Sequence, residues 1–160
     1  KLSQHITGLS SFARRAEDAG ANGLVLFNRF YGAEVDLDAL AMTSRLALSN
    51  PEELRFPLRW IGILRAQRPG LSLAATTGVH SGLDAVKALL VGADVACTTS
   101  AVLQHGTGRV GRMLAELGTW LTDHDYDSVR QLQGSMSADN VSDPAAFERA
   151  QYMKVITSQI

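Results

Sequence analysis

The stretch Leu71–Gly106, LSLAATTGVHSGLDAVKALLVGADVACTTSAVLQHG, decides the fold. Two apolar runs, Leu71–Ala75 and Asp94–Thr98, read as strands, and Leu83–Val91 between them reads as a helix stopped by Gly92. Continuous apolar runs of this length suit parallel strands buried on both faces. Each run ends in small and hydroxyl residues, Thr76-Thr77-Gly78 after the first and Thr98-Thr99-Ser100 after the second. A phosphate is held by such residues: glycine lets the backbone approach its oxygens, backbone N–H groups donate to them, and hydroxyls add further donors. Two such ends on adjacent strands can form one phosphate cup.

The same rhythm extends outward. Gly23–Phe27 is another apolar strand, ending at Asn28-Arg29-Phe30-Tyr31-Gly32, and Lys1-Leu2-Ser3 looks like the tail of a strand that begins upstream. Leu9–Ala19 has helical spacing, with Ser10 and Ser11 as candidate N-caps and Gly20 as the stop. Glu52–Arg68 reads as a helix with Leu58, Ile61 and Leu64 on one face, Pro57 in its first turn and Pro69-Gly70 as its breaker. Ala33–Ser49 has no clear period; Val35-Asp36-Leu37 and Leu46–Leu48 are candidate extended pieces of an insertion or lid. Downstream, Ala101–Gly106 reads as one helical turn, Val110–Leu121 and Ser128–Leu132 as helices, and Pro144–Ile156 as a tail helix anchored by Phe147, Tyr152 and Val155.

Alternating strands and helices argue a parallel α/β sheet. It could be a small doubly wound domain or part of a (β/α)₈ barrel, which needs about 250 residues. Four strands in 160 residues amount to half a barrel, so the chain reads as a fragment. With 46% hydrophobic and 19% charged residues the composition is that of a globular domain, and a net charge of −1 gives no footprint for nucleic acid or an anionic membrane. No apolar run approaches the roughly 20 residues of a membrane span. The single Cys97 excludes an internal disulfide and fits a cytoplasmic setting. Four scattered histidines, without carboxylates or thiolates at ligand spacing, give no metal site. Asn140-Val141-Ser142 matches a glycosylation sequon, read as chance in the absence of a leader segment.

The ordered set of a strand ending Lys1-Leu2-Ser3, the segment Ala19–Gly23 before a strand ending in Asn28, a Pro-containing helix, Thr76-Thr77-Gly78-Val79, Asp84-Ala85, Gly92-Ala93 and Ser100-Ala101 resembles the C-terminal half of dihydroorotate dehydrogenases. Within that family, Leu54–Trp60, Gly134–Ser137, Glu148-Arg149 and Tyr152-Met153-Lys154 resemble a subgroup of dihydroorotate dehydrogenase-like proteins. The resemblance implies an FMN-dependent (β/α)₈ barrel of pyrimidine biosynthesis that oxidises a C–C single bond of a dihydropyrimidine. Residues 1–134 would form the barrel half and 135–160 a helical tail packed on it.

By the same resemblance, Lys1 falls where a strand-end lysine contacts the flavin ring, and Asn28 where an asparagine holds the substrate. Thr77, Gly78 and Val79 fall on one phosphate turn, and Thr99 and Ser100 on the other. No catalytic residue falls in this chain; the base, a Cys or Ser, belongs to the N-terminal half, which would be its partner. A homodimer remains an open association state. Thr77 and Thr99 stand where the family has glycine, Arg29 stands where orotate-binding enzymes carry a small residue, and the glycine expected just before the Pro57 helix is missing.

Each residue also has a plainer reading. The two turns could simply be tight, Lys1 a solvated lysine and Asn28 a turn former. His80 either lines the site or caps the next helix; His5 is a weaker candidate, and His105 and His124 read as solvated. Cys97 reads as a small buried strand residue, and Tyr31 and Trp60 as packing residues, Tyr31 on the active-site side if the chain is a barrel. Two rival functions share the pattern: a barrel that binds a phosphorylated metabolite without flavin, as isomerases and synthases do, and a non-catalytic relative.

Overall fold

The computed structural model describes residues 1–148 and Thr157. Its elements run β1 (Leu2–Ser3), α1 (Leu9–Asp18), β2 (Gly23–Asn28), β3 (Glu34–Asp36), β4 (Ala41–Thr43), a 3₁₀ turn (Pro51–Leu54) and α2 (Arg55–Gln67). They continue through β5 (Ser72–Ala75), α3 (Gly82–Leu90), β6 (Val95–Ala96), α4 (Ser100–His105), α5 (Gly108–Asp123), α6 (Val129–Leu132) and α7 (Ala145–Glu148). The expected four strands form one parallel sheet in the order β1-β2-β5-β6, with β1 and β6 at its edges.

Register explains the core. Leu24 pairs with Leu73 and Leu26 with Ala75, all buried, on the face that receives Leu9 and Ala13 of α1, Ile61 and Leu64 of α2, and Ala88 of α3. Val25, Ala74 and Val95 pair across the other face. That row is less covered, and Val95 is 52% exposed. One face under helices and one apolar face left open is the arrangement of a barrel wall. The sequence reading of a half-barrel α/β fold therefore holds.

Local chemistry sets the helix boundaries. Asn50 and Glu53 form a reciprocal capping box at the 3₁₀ turn, so the helix expected from Glu52 begins as a tighter turn before α2. Ser81 and Asp84 form a second box at α3. The cap of α1 is Gly8 at φ 69, not Ser10 or Ser11, because the helix already starts at Leu9. In the stretch 33–49 the structure corrects the expectation. Val35 and Asp36 do extend, but they pair with Ala41–Thr43 in an antiparallel hairpin, and Leu46–Leu48 is not a strand.

Gly134 N–H donates to the Leu89 carbonyl, Met136 N–H to Leu90 and Ala138 N–H to Gly62, which lays the chain beyond α6 against α2 and α3. Phe147, at α7, packs over Gly62. The tail anchors Tyr152 and Val155, with Arg149 and Tyr152–Lys154, lie outside the described residues.

Candidate functional site

Lys1, Asn28, Thr77, Gly78, Val79, Thr99 and Ser100 all line one cavity of about 240 Å³ at the C-terminal ends of the parallel strands. Asn28 ends β2, Thr77–Val79 follow β5 and Thr99 and Ser100 follow β6, while Lys1 stands just before β1. The carboxyl ends of the strands are where barrel folds build their sites.

The turn after β5 is fixed by a dense set of contacts. Thr76 N–H donates to the Leu26 carbonyl at 2.7 Å. Thr77 adopts φ 75, a left-handed conformation that costs a β-branched residue on the order of 1–3 kcal/mol. Its Oγ1 donates to the Phe27 carbonyl at 3.1 Å, which holds it there. Gly78 follows at φ 84. A Cβ at Gly78 would sit 2.8 Å from Leu54 Cα and closer still to its nitrogen, so the 3₁₀ turn can approach only a glycine. Val79, 3% exposed, plugs the turn onto Leu54 and Met113.

The turn after β6 is tied to the first. Thr98 Oγ1 donates to the Val79 carbonyl at 2.8 Å. Thr99 has φ −135, so its side chain causes no left-handed strain, unlike that of Thr77. Among the described residues, the backbone N–H groups of Gly78, Val79, Thr99 and Ser100 donate to no protein acceptor. Four such donors at one cavity, with the Ser100 hydroxyl beside them, make a cradle for an anion.

The opposite wall is built from the end of β2 and the following connector. Arg29 lies on this wall and on that of a neighbouring cavity of about 280 Å³. Its Nε and second amino group donate to the two oxygens of Glu53 at 3.0 and 3.2 Å. The remaining amino group donates to the Ala47 carbonyl. With its planar fork engaged in this way, Arg29 clasps the connector to β2.

Several readings are corrected here. Strand β6 ends at Ala96, so Cys97 is half-buried on the cavity wall rather than sealed inside a strand. Tyr31 is 54% exposed at the cavity, with the Arg29 guanidinium 5.3 Å from its ring, and is not a core residue. Trp60 does pack against the core. His80 neither lines the cavity nor caps α3; Ser81 is the cap, and the His80 ring turns to Ser49. His5, His105 and His124 are exposed, His5 against Phe30 and His124 stacked on Trp120. No group of metal-ligating side chains is found among the described residues.

Ser49 and Glu53 carry more of the site than sequence reasoning assigned them. The Ser49-Asn50-Pro51 run with an acid at Glu53 is a capping signature that could have placed the 3₁₀ turn against the cavity.

A scan against protein-family models finds no match. Individual relatives are informative. The chain is 31% identical over 141 residues to the catalytic subunit of dihydroorotate dehydrogenase B (NAD(+)) from Citrifermentans bemidjiense, covering 85% of this chain and 45% of that protein. The chain is a relative of the dihydroorotate dehydrogenases. It is also 33% identical over 98 residues to dihydroorotate dehydrogenase A (fumarate) of Limosilactobacillus reuteri, covering 59% of this chain and 31% of the other. The crystal structure of a ligand-free type DHODH from Eimeria tenella superposes with a TM-score of 0.65 at 18% identity, over 82% of this chain and 37% of that one. The fold is therefore that of part of a dihydroorotate dehydrogenase barrel, and the chain spans less than half the length of the relatives it matches. Among the described residues no helix is long and apolar enough to cross a membrane.

Proposed function

We propose that this chain is the phosphate-binding, C-terminal half of an FMN-dependent oxidoreductase of the dihydroorotate dehydrogenase type. Residues 1–134 supply the barrel half and 135–160 a helical tail that packs on it. The observation that carries the reading is the convergence of two strand-end turns, with four unengaged N–H groups, on one cavity. The fit to a phosphate monoester is good: Gly78 and Val79 offer one edge of donors, Thr99 and Ser100 the other, and Thr77 gives the turn its left-handed form.

When bound, FMN would supply the hydride acceptor for oxidising a C–C single bond of a dihydropyrimidine. This chain's own residues bind and orient it. Lys1 at the cavity rim offers a cation for negative charge that builds on the ring. Asn28 offers an amide donor and acceptor to the substrate. The remaining half of the barrel is the partner that brings the catalytic base and most of the substrate pocket.

The visible spectrum of the purified full-length protein tests this. A yellow protein with a flavin spectrum, which Gly78→Val abolishes, supports the reading. A colourless protein that does not take up added FMN contradicts it and favours a barrel for a phosphorylated metabolite.

A further inference from the structure

We propose that Ser49 is a further ligand of the anion in this cup and that His80 is the residue that positions it. The proposal rests on the phosphate reading above and adds two residues from outside the two turns.

Ser49 enters the cavity wall from the connector before the 3₁₀ turn and is 6% exposed. Its backbone N–H donates to Ser100 Oγ at 3.0 Å. A hydroxyl oxygen that accepts this bond keeps its own proton for another acceptor. Ser100 faces the cavity, so its proton is directed at whatever fills the cup. The main chain of Ser49 thus makes Ser100 a donor toward the ligand.

The Ser49 side chain is set in the same way. Its Oγ lies 3.0 Å from Nε2 of His80. With the imidazole proton on Nε2, Ser49 Oγ accepts and its hydroxyl proton is left for the cavity. The opposite tautomer would turn the hydroxyl away from the ligand, so the proposal assigns the Nε2–H form.

The His80 backbone is anchored from two directions. Its N–H donates to Asp84 Oδ2 at 3.2 Å, and its carbonyl accepts from Nε and an amino group of Arg109 at 3.0 and 2.7 Å. Arg109 is braced in turn by Glu116 at 3.5 Å, and Glu116 also accepts the Gly82 N–H at 2.6 Å. The His80 main chain is therefore held by α3 and α5, and its imidazole, through Ser49, fixes the connector over the cup. Two hydroxyls, from Ser49 and Ser100, then face the anion as donors beside the four backbone N–H groups.

The test compares FMN with riboflavin, which lacks the phosphate, by quenching of flavin fluorescence on the full-length protein. The wild type should prefer FMN. Ser49→Ala and the near-isosteric Ser49→Cys should weaken FMN about tenfold while riboflavin affinity moves less than about twofold, as expected for one hydrogen bond to a charged group. His80→Phe should match Ser49→Ala, and the double variant should be no worse than either, because both remove the same donor. His80→Gln, whose amide nitrogen can reach the Nε2 position, should restore most of the FMN preference. A wild type that prefers FMN, with that preference unchanged in the Ser49 variants, overturns this inference alone. So does an equal loss of both flavins, or a His80→Gln variant as impaired as His80→Phe. A wild type that binds the two flavins equally overturns the phosphate reading and this inference together.

Discussion

The two walls of the cavity differ in how they are held. On the turn side, Val79 is 3% exposed, Gly78 fits against Leu54, and Thr98 of one turn bonds the backbone of the other. On the connector side, Phe30 is 75%, Leu37 80%, Leu40 85% and Leu46 70% exposed, and the hairpin rests on one pair of three-residue strands. Arg29 fastens that side through Glu53 and Ala47, and Ser49 ties the end of the connector to Ser100 and His80. The turn side is a finished scaffold whose geometry is dictated by its own packing. The hairpin side contributes little packing to this chain, so its order is weakly determined by it.

The sharpest way to break this contrast is at Gly78. Gly78→Val forces a side chain against Leu54 at φ 84, so the full-length protein should lose about 3 kcal/mol or more of stability, together with the flavin binding proposed above. A wild-type denaturant midpoint for this variant would remove the turn side's claim to rigidity.

Asp84 comes next. Burial pushes its carboxyl up, but the Ser81 hydroxyl, the His80 N–H and Lys87 together outweigh burial and hold it below its ordinary value of 3.8. A carboxylate lowered in the folded state stabilises the fold above its unfolded pKa, and that contribution fades as pH falls through the folded value. Asp84→Asn should cost about 1–2 kcal/mol at neutral pH. Its stability should also decline less steeply than the wild type's as the solution is acidified below the usual carboxylate range. Equal acid slopes, from denaturant midpoints at several pH values, would show that Asp84 does not carry the effect.

Thr77 sharpens the comparison further. Thr77→Val keeps the left-handed strain and loses the bond to Phe27, so it should destabilise by about 1 kcal/mol. Thr77→Gly loses the same bond but relieves the strain, and should be neutral or stabilising. The reverse order would mean that the Thr77 side chain, not the turn, sets the backbone there.

The smallest effect belongs to the hairpin. Leu40 sits at φ 48 and is 85% exposed, so Leu40→Asn should change stability by less than about 1 kcal/mol, on the stabilising side. A larger loss on thermal unfolding would show that the hairpin tip is packed in the full-length protein and that the two walls are alike after all.

The same division explains what could be read from the chain. The runs Gly23–Phe27 and Leu71–Ala75 announce themselves because their burial is paid within this chain, by α1, α2 and α3. All seven site residues named from the sequence reach one cavity because strand ends and small-residue turns are local signals. The hairpin was half legible: Val35 and Asp36 pair as extended residues, but their partner Ala41–Thr43 carries no alternation facing a core. Cys97 as a strand residue and Tyr31 as a packing residue do not hold, because apolar character suggests burial whereas exposure depends on where β6 and β2 stop; Tyr31 does stand on the cavity side that the barrel reading gives it. The tie from Ser49 to His80, 31 residues apart, depends on the approach of the 3₁₀ turn to β5, which no local pattern encodes.

The most direct test of the central claim is a crystal structure of the full-length protein grown with FMN. The account predicts the flavin phosphate within hydrogen-bond distance of the N–H groups of Gly78, Val79, Thr99 and Ser100, with the Ser100 hydroxyl donating to it. A phosphate bound elsewhere, or those four groups engaged by protein, would contradict it.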